Sequence, residues 1–161
     1  MASSPKKGSE SMGKSKKPST QLDLSTARQM LPLVRSIVSD IVDTKRKLVE
    51  LSTEHDRLEE NRRSLTWESR QRRYAVTDEL QQAERNLTTA VGELSQLGVA
   101  LVDAEAGAVD FPTRINGRPA AFTWESGEDN LRFWRYAEED QRRPIPSDWQ
   151  QGTAMRNRAG T

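Results

Sequence analysis

An Asn-Gly pair at Asn116–Gly117 separates two runs in which apolar and polar residues alternate. Asn-Gly favours the two-residue hairpin turn whose central residues both take positive φ, and alternation of side chains is the mark of a half-buried strand. Together they leave one register: Ile115 opposite Arg118, Thr113 opposite Ala120, Phe111 opposite Phe122 and Val109 opposite Trp124. A second turn at Ser126–Asp129 is expected to pair Glu125 with Asn130. That sets Trp124 opposite Leu131, Phe122 opposite Phe133 and Ala121 opposite Trp134. One sheet face then carries Val109, Phe111, Phe122, Trp124, Leu131 and Phe133, and should be the core. The other face carries Asp110, Thr123 and Arg132 in a row, with Trp134 and Ala121 beside them. Pro112 falls on that face and needs an edge or a bulge, because it has no N–H to give a ladder. Residues 99–102 are expected to add a strand.

The preceding region reads as two helices. From Ser25 or Thr26, both good N-caps, apolar residues recur every seven. One position runs Ala27, Val34, Ile41, Leu48, His55, Arg62, and the other Met30, Ile37, Thr44, Leu51, Leu58, Leu65. Leu31, Val38, Val42 and Val49 widen the stripe in the first half, which suggests a second packing partner there. Pro32 predicts a kink, or a break into a short and a long helix. Val76, Leu80, Ala83, Leu87, Ala90, Leu94 and Leu97 define the next helix, and Gly98 ends it. Between the two, residues 60–73 hold five arginines around Trp67. The seam loses phase there, so an antiparallel hairpin turning near residues 63–67 is expected.

The expected fold class is therefore α+β. A long, coiled-coil-like helical hairpin (helices about 25–65 and 67–97) packs on a small antiparallel meander of three or four strands (about 99–136). Residues 21–149 form a single domain, which suits a chain of 161 residues. Residues 1–20, rich in Ser, Lys, Gly and Pro, should be a disordered basic tail, and residues 150–161 a flexible one. The first tail carries Lys6, Lys7, Lys14, Lys16 and Lys17 against Glu10, while the whole chain is only +1.

Several functions are excluded or unsupported. Without cysteine there is no disulfide, thiolate metal site or cysteine nucleophile. No apolar run approaches the ~18–20 residues of a membrane span, and no apolar core follows the N-terminal lysines as in a secretory signal. A cytoplasmic setting is the default. His55 is the one histidine. With Glu59 one turn on it makes a poor metal site, and a polar seam residue is the simpler reading. There is no phosphate loop, dinucleotide fingerprint or nucleophile elbow, so no catalytic residue, metal or cofactor is expected.

The runs at residues 24–35 (LSTARQMLPLVR), Gly98-Val99, Val109-Asp110-Phe111-Pro112, Asn116-Gly117-Arg118, Trp124, Gly127-Glu128, Phe133-Trp134 and Arg142-Arg143-Pro144-Ile145 resemble DUF2203, a prokaryotic domain of unknown function. The resemblance spans roughly residues 21–145 and implies no established activity. It implies Cys in relatives where Thr123 stands and His where Arg135 stands; any metal or redox role built on those residues would be lost here. Asp110 is kept.

Three functional readings stay open. In the first, a non-enzymatic interaction or scaffold protein uses the hairpin, which self-associates or docks a protein partner, and the sheet face with Asp110, Arg132 and Trp134. In the second, the lysine tail and the Arg62–Arg63 region touch nucleic acid. In the third, Asp110, Thr123 and Arg132 hold a small ligand or substrate; an ordinary cross-strand ion pair is the competing explanation.

Overall fold

Helix α1 starts two residues earlier than its Ser and Thr suggest. The Asp23 carboxylate accepts from the Thr26 amide at 2.7 Å and opens α1, Leu24–Glu60. In the computed structural model, which describes residues 21–150, α1 is continuous through Pro32, so the expected break into two helices does not occur. Pro32 is exposed. The carbonyl that loses its helical partner therefore lies on the solvent side, where water can serve it. Asn61 ends α1 and donates its side-chain amide to the Arg57 carbonyl. A 3₁₀ turn, Arg62–Ser64, reverses the chain, and the Thr66 hydroxyl caps α2, Trp67–Gln96. Gly98, at φ 81°, ends α2 in a Schellman motif: Val99 N–H reaches the Leu94 carbonyl and Gly98 N–H the Ser95 carbonyl. Leu94 and Val99 are both buried, the hydrophobic contact that accompanies this motif.

Five strands follow in the order β1 Ala100–Asp103, β2 Ala108–Ile115, β3 Arg118–Glu125, β4 Phe133–Tyr136 and β5 Arg143–Pro144, all antiparallel neighbours. The β2–β3 register is the one the Asn-Gly turn dictates, with Asn116 at φ 55° and Gly117 at φ 74°. Pro112 lies past the end of β1, whose last pair is Ala100 with Asp110. Its carbonyl accepts instead from Leu22 N–H at 2.8 Å. The fifth strand adds to the expected meander and comes from the segment after residue 136.

The β3–β4 register corrects the sequence expectation by one residue. Phe122 pairs with Trp134, Thr123 with Phe133 and Ala121 with Arg135. The tight turn after Glu125 does form, with Glu128 N–H on the Glu125 carbonyl, but β4 does not resume until Phe133. Tertiary contacts hold the intervening carbonyls. Trp124 Nε1 donates to Glu128, Arg35 to Asp129 and Arg28 to Leu131, at 3.0, 2.7 and 3.1 Å. Leu131 enters the core as expected, though from this loop. Trp134 joins it in the core, whereas Phe133 turns to the outer face.

Helix α1 lays Ala27, Leu31, Val34, Val38 and Ile41 against the inner sheet face of Val109, Phe111, Phe122, Trp124 and Trp134, with Leu94 of α2 closing one side. This core uses α1 only as far as Val42 and α2 only from Leu87. Beyond it, among the described residues, the two helices pack on each other, meeting at Leu51, Val76 and Ala83. The remaining turns of α1 carry this arm roughly 25 Å past the core at 1.5 Å per residue. The expected tail of residues 1–20, with its lysines, and the C-terminal tail from residue 151 lie outside the described residues.

Gly107 shows how closely α1 approaches the sheet. At φ 70°, an added Cβ would stand 2.8 Å from Ser126 Cβ and 3.0 Å from methyls of Val38 and Val42. Gly117 has similar φ but open space around it. In urea denaturation, Gly107→Ala should cost about 2–4 kcal/mol, strain plus overpacking, and Gly117→Ala only about 1–2 kcal/mol of strain. Equal losses would show that the close approach to α1 contributes nothing.

Candidate functional site

The outer sheet face gathers the polar residues that the sequence points to, with one exchange. Asp110 of β2 and Thr123 of β3 are direct cross-strand partners. The one-residue shift of β4 puts Arg135 beside them in place of Arg132. Arg135 Nη2 donates to Asp110 Oδ2 in a short contact, and its Nη1 reaches the carbonyls of Tyr136, Ala137 and Glu139. Ala137 would face Pro119 across the ladder, and Pro119 has no N–H to offer its carbonyl; Arg135 supplies the donor. Arg132 sits exposed in the loop, contributing its backbone carbonyl to Ile145 N–H. Trp134 is not on this face. It is buried on the inner side, edge-on to Tyr136 at 4.9 Å between centroids and 5.4 Å from Trp149.

A second arginine closes the face from the returning C-terminal segment. Arg142 Nε donates to Thr123 Oγ1 at 2.8 Å and Nη2 to Glu128 Oε1 at 2.8 Å, while its guanidinium lies 4.4 Å from the Phe133 ring centre. Thr123 is consequently 6% exposed. Burial raises the Asp110 pKa above its ordinary value, against the lowering influence of Arg135 first and Arg142 second. The basic and acidic groups here are thus spent largely on one another. A cavity of about 200 Å³ remains, bounded by Asp110, Thr123, Glu125, Arg135, Asp140 and Arg142. That is smaller than the ~300–1,000 Å³ of ordinary small-molecule sites.

A family model described as an uncharacterized conserved protein, DUF2203, matches residues 21–145. The chain belongs to the DUF2203 family. No curated protein and no solved structure matches it. The two departures implied by the resemblance, Thr123 and Arg135, both flank Asp110 in the fold. Where this DUF2203 chain has a hydroxyl and a guanidinium, Cys and His would set a thiol and an imidazole around the same carboxylate. Arg135 and Arg142 were legible in the sequence only through that resemblance. Nothing local marks Arg142, which acts across 19 positions in the chain.

The other residues singled out lie at the far end of the molecule. Arg62 and Arg63 are exposed on the 3₁₀ turn at the arm's tip. The 37 residues of α1 put about 55 Å between that turn and Leu24, where the basic tail joins. The tip and the tail junction are thus at opposite ends. Arg72 bridges Glu54 and Glu79, and Arg73 holds Glu59 at 2.6 Å, so these two arginines rivet the hairpin. The same contacts lower the Glu54 and Glu59 pKa values. His55 is within 4 Å of both Asp56 and Glu59. Among the described residues, no group of three or more His, Cys, Asp or Glu is placed to hold a metal ion. Sequence reading undervalued Trp67 and Tyr74, which stand 70% and 69% exposed on α2.

Since its folded pKa is raised, the Asp110 site holds its proton more tightly in the native state. Its contribution to stability is complete below the unfolded pKa and is lost as pH rises through the folded one. Arg135→Met removes the largest opposing charge, so Asp110 should protonate at still higher pH and this window should widen. Carboxyl-carbon NMR titration of Asp110 reads this directly; a downward shift in the variant would contradict the assignment.

Proposed function

We propose that this protein acts by binding another macromolecule through its projecting helical arm, as an interaction or scaffold protein rather than an enzyme. The observation that carries this reading is the pair Trp67 and Tyr74. Two large aromatics, seven residues apart on one face of α2, remain about seven-tenths exposed where the core makes no use of them. Trp67 is nine residues before the seam residue Val76, half a revolution around the helix, so its face points away from α1. Exposed Trp and Tyr in one patch are unfavourable in water and are the residue types that anchor interfaces. The sheet face supports this function less than the sequence suggested, because Trp134 is buried and Asp110, Thr123, Arg135 and Arg142 are tied together.

Nucleic-acid binding is the second reading. Arg62, Arg63 and Arg70 are exposed near the aromatics, and stacking beside cations suits single strands. Glu60, Glu68 and Asp78 are interleaved with them, however, and would repel a polyanion.

A photo-crosslinking phenylalanine analogue replacing Trp67 in the protein's own cells tests the arm. Adducts should form from position 67 and not from position 95, an exposed site at the base of α2. Adducts lost on nuclease treatment would move the function to nucleic acid. No adduct from position 67 would overturn the proposal.

A further inference from the structure

We propose that Asn116 is a site of covalent modification, at which the side-chain amide is lost as ammonia to give aspartate or isoaspartate, and that opening of the hairpin tip sets the rate. Asn116–Gly117 is the one Asn-Gly pair in the chain. Glycine matters because its bare Cα leaves its amide nitrogen open to close approach. The Gly117 nitrogen gives its proton to solvent base and attacks Cγ of Asn116. The nitrogen–Cγ bond forms, the Cγ–Nδ2 bond breaks, and Nδ2 leaves as ammonia with a proton from solvent. Water then opens the five-membered ring. Cleavage of the bond to Cγ gives aspartate; cleavage of the bond to the main-chain carbonyl gives isoaspartate, with the chain running through the side-chain carbons. Water is the one co-reactant.

Solvent reaches the reacting groups, but the turn holds them apart. Asn116, Gly117, Arg114 and Arg118 are all exposed. No heavy atom lies within 4 Å of where a Gly117 Cβ would stand, and the Gly117 N–H makes no hydrogen bond among the described residues. The φ values of 55° at Asn116 and 74° at Gly117 are those of a type I′ turn. In such a turn the first central residue has ψ of about 30°, which for an L residue sets Cβ about 150° from the next nitrogen around the Cα–C bond. The Asn116 side chain therefore points away from its attacker. Ring closure needs Cβ and that nitrogen nearly eclipsed, a rotation that undoes the turn.

Two contacts keep the tip closed. Nδ2, the group that must leave, donates to Tyr136 Oη at 2.9 Å. Tyr136 is itself buried, with the Arg118 guanidinium 3.7 Å from its ring centre. Arg114 Nη2 donates to the Gly117 carbonyl. Reaction thus proceeds through local opening of the tip, an event separate from global unfolding. The two products differ in consequence. Aspartate suits the same turn, and its carboxylate would accept from the Tyr136 hydroxyl between Arg114 and Arg118. Isoaspartate adds a carbon to the main chain of a two-residue loop, so the pairing of Ile115 with Arg118 is lost and the β2–β3 register is loosened at its origin.

The test is incubation of the full 161-residue chain at mildly alkaline pH, followed by peptide mapping that separates asparagine, aspartate and isoaspartate by mass spectrometry. A synthetic peptide of residues 113–120 supplies the rate without a fold. Position 116 should convert, while Asn61, Asn86 and Asn130, each followed by a larger residue, stay intact. The folded chain should react roughly tenfold to thirtyfold more slowly than the peptide, the protection that a closed tip of low local stability gives. Tyr136→Phe should raise the folded rate about fivefold, the population equivalent of one hydrogen bond. Arg114→Gln, at an exposed position, should narrow the gap between the folded chain and a peptide carrying the same change, and it keeps the test open if Tyr136→Phe does not fold. A folded rate equal to the peptide's, or one unmoved by both variants, overturns the gating by the tip. No conversion at position 116 in the folded chain after thirty half-lives of the peptide overturns the site itself.

Discussion

Two arginines one heptad apart on α1 decide how the sheet is assembled. Arg28 and Arg35 reach from the helix to the carbonyls of Leu131 and Asp129, while Trp124 takes the carbonyl of Glu128. These are charged or indole donors on a loop with no strand partner of its own; those on Glu128 and Leu131 satisfy part-buried carbonyls, and Arg35 holds the exposed carbonyl of Asp129 between them. Arg28 Nε remains buried without a partner, a cost that the clamp carries. Because the loop is held at this length, β4 enters the sheet one residue later than a tight turn would give. Side chains alternate along a strand, so that single residue exchanges the two faces of β4.

The exchange explains both faces. Trp134 and Tyr136 go inward, where Arg118 stacks 3.7 Å from the Tyr136 ring centre and Trp149, on a 3₁₀ turn at Ser147–Gln150, packs on Trp134. Phe133 and Arg135 go outward. Arg135 then meets Asp110, and Arg142 can lie over Phe133 while it bonds Thr123 and Glu128. Glu128 therefore links the two systems: its carbonyl serves Trp124 of the inner face and its carboxylate serves Arg142 of the outer one. Removing one member of a partly buried charge pair leaves its partner desolvated and alone, which costs more than the pair contributes net. The outer face reads as a structural buckle for the C-terminal segment.

The hairpin follows a different physics. Its proximal half is stabilised by burial against the sheet; its distal half has a single seam and ion-pair rungs. Isolated two-helix arms are marginal unless they gain buried surface elsewhere. Trp67 and Tyr74 are placed where such surface would be gained on association. The molecule is thus divided into an α+β body and an arm whose outward face leaves Trp67 and Tyr74 exposed.

Local chemistry determined much of this architecture. The Asn116–Gly117 turn imposes the β2–β3 register because few residues accept two successive positive φ values. The seven-residue repeat, the Thr66 cap and Gly98 define a hairpin whose limits depend on neighbouring backbone groups. The family was legible in the same short runs. What the sequence could not decide was whatever depends on distant groups. Pro32 was tolerated because of which side of α1 faces water, and the register of β4 was set by Arg28 and Arg35, about a hundred residues away in sequence. Arg135, Arg142 and the burial of Trp134 follow from that register. The exposure of Trp67 and Tyr74 depends on where the sheet stops covering the helices. Turn and cap preferences act over four or five residues and can be read along the chain, whereas a loop's length in space is chosen by the tertiary partners that hold it.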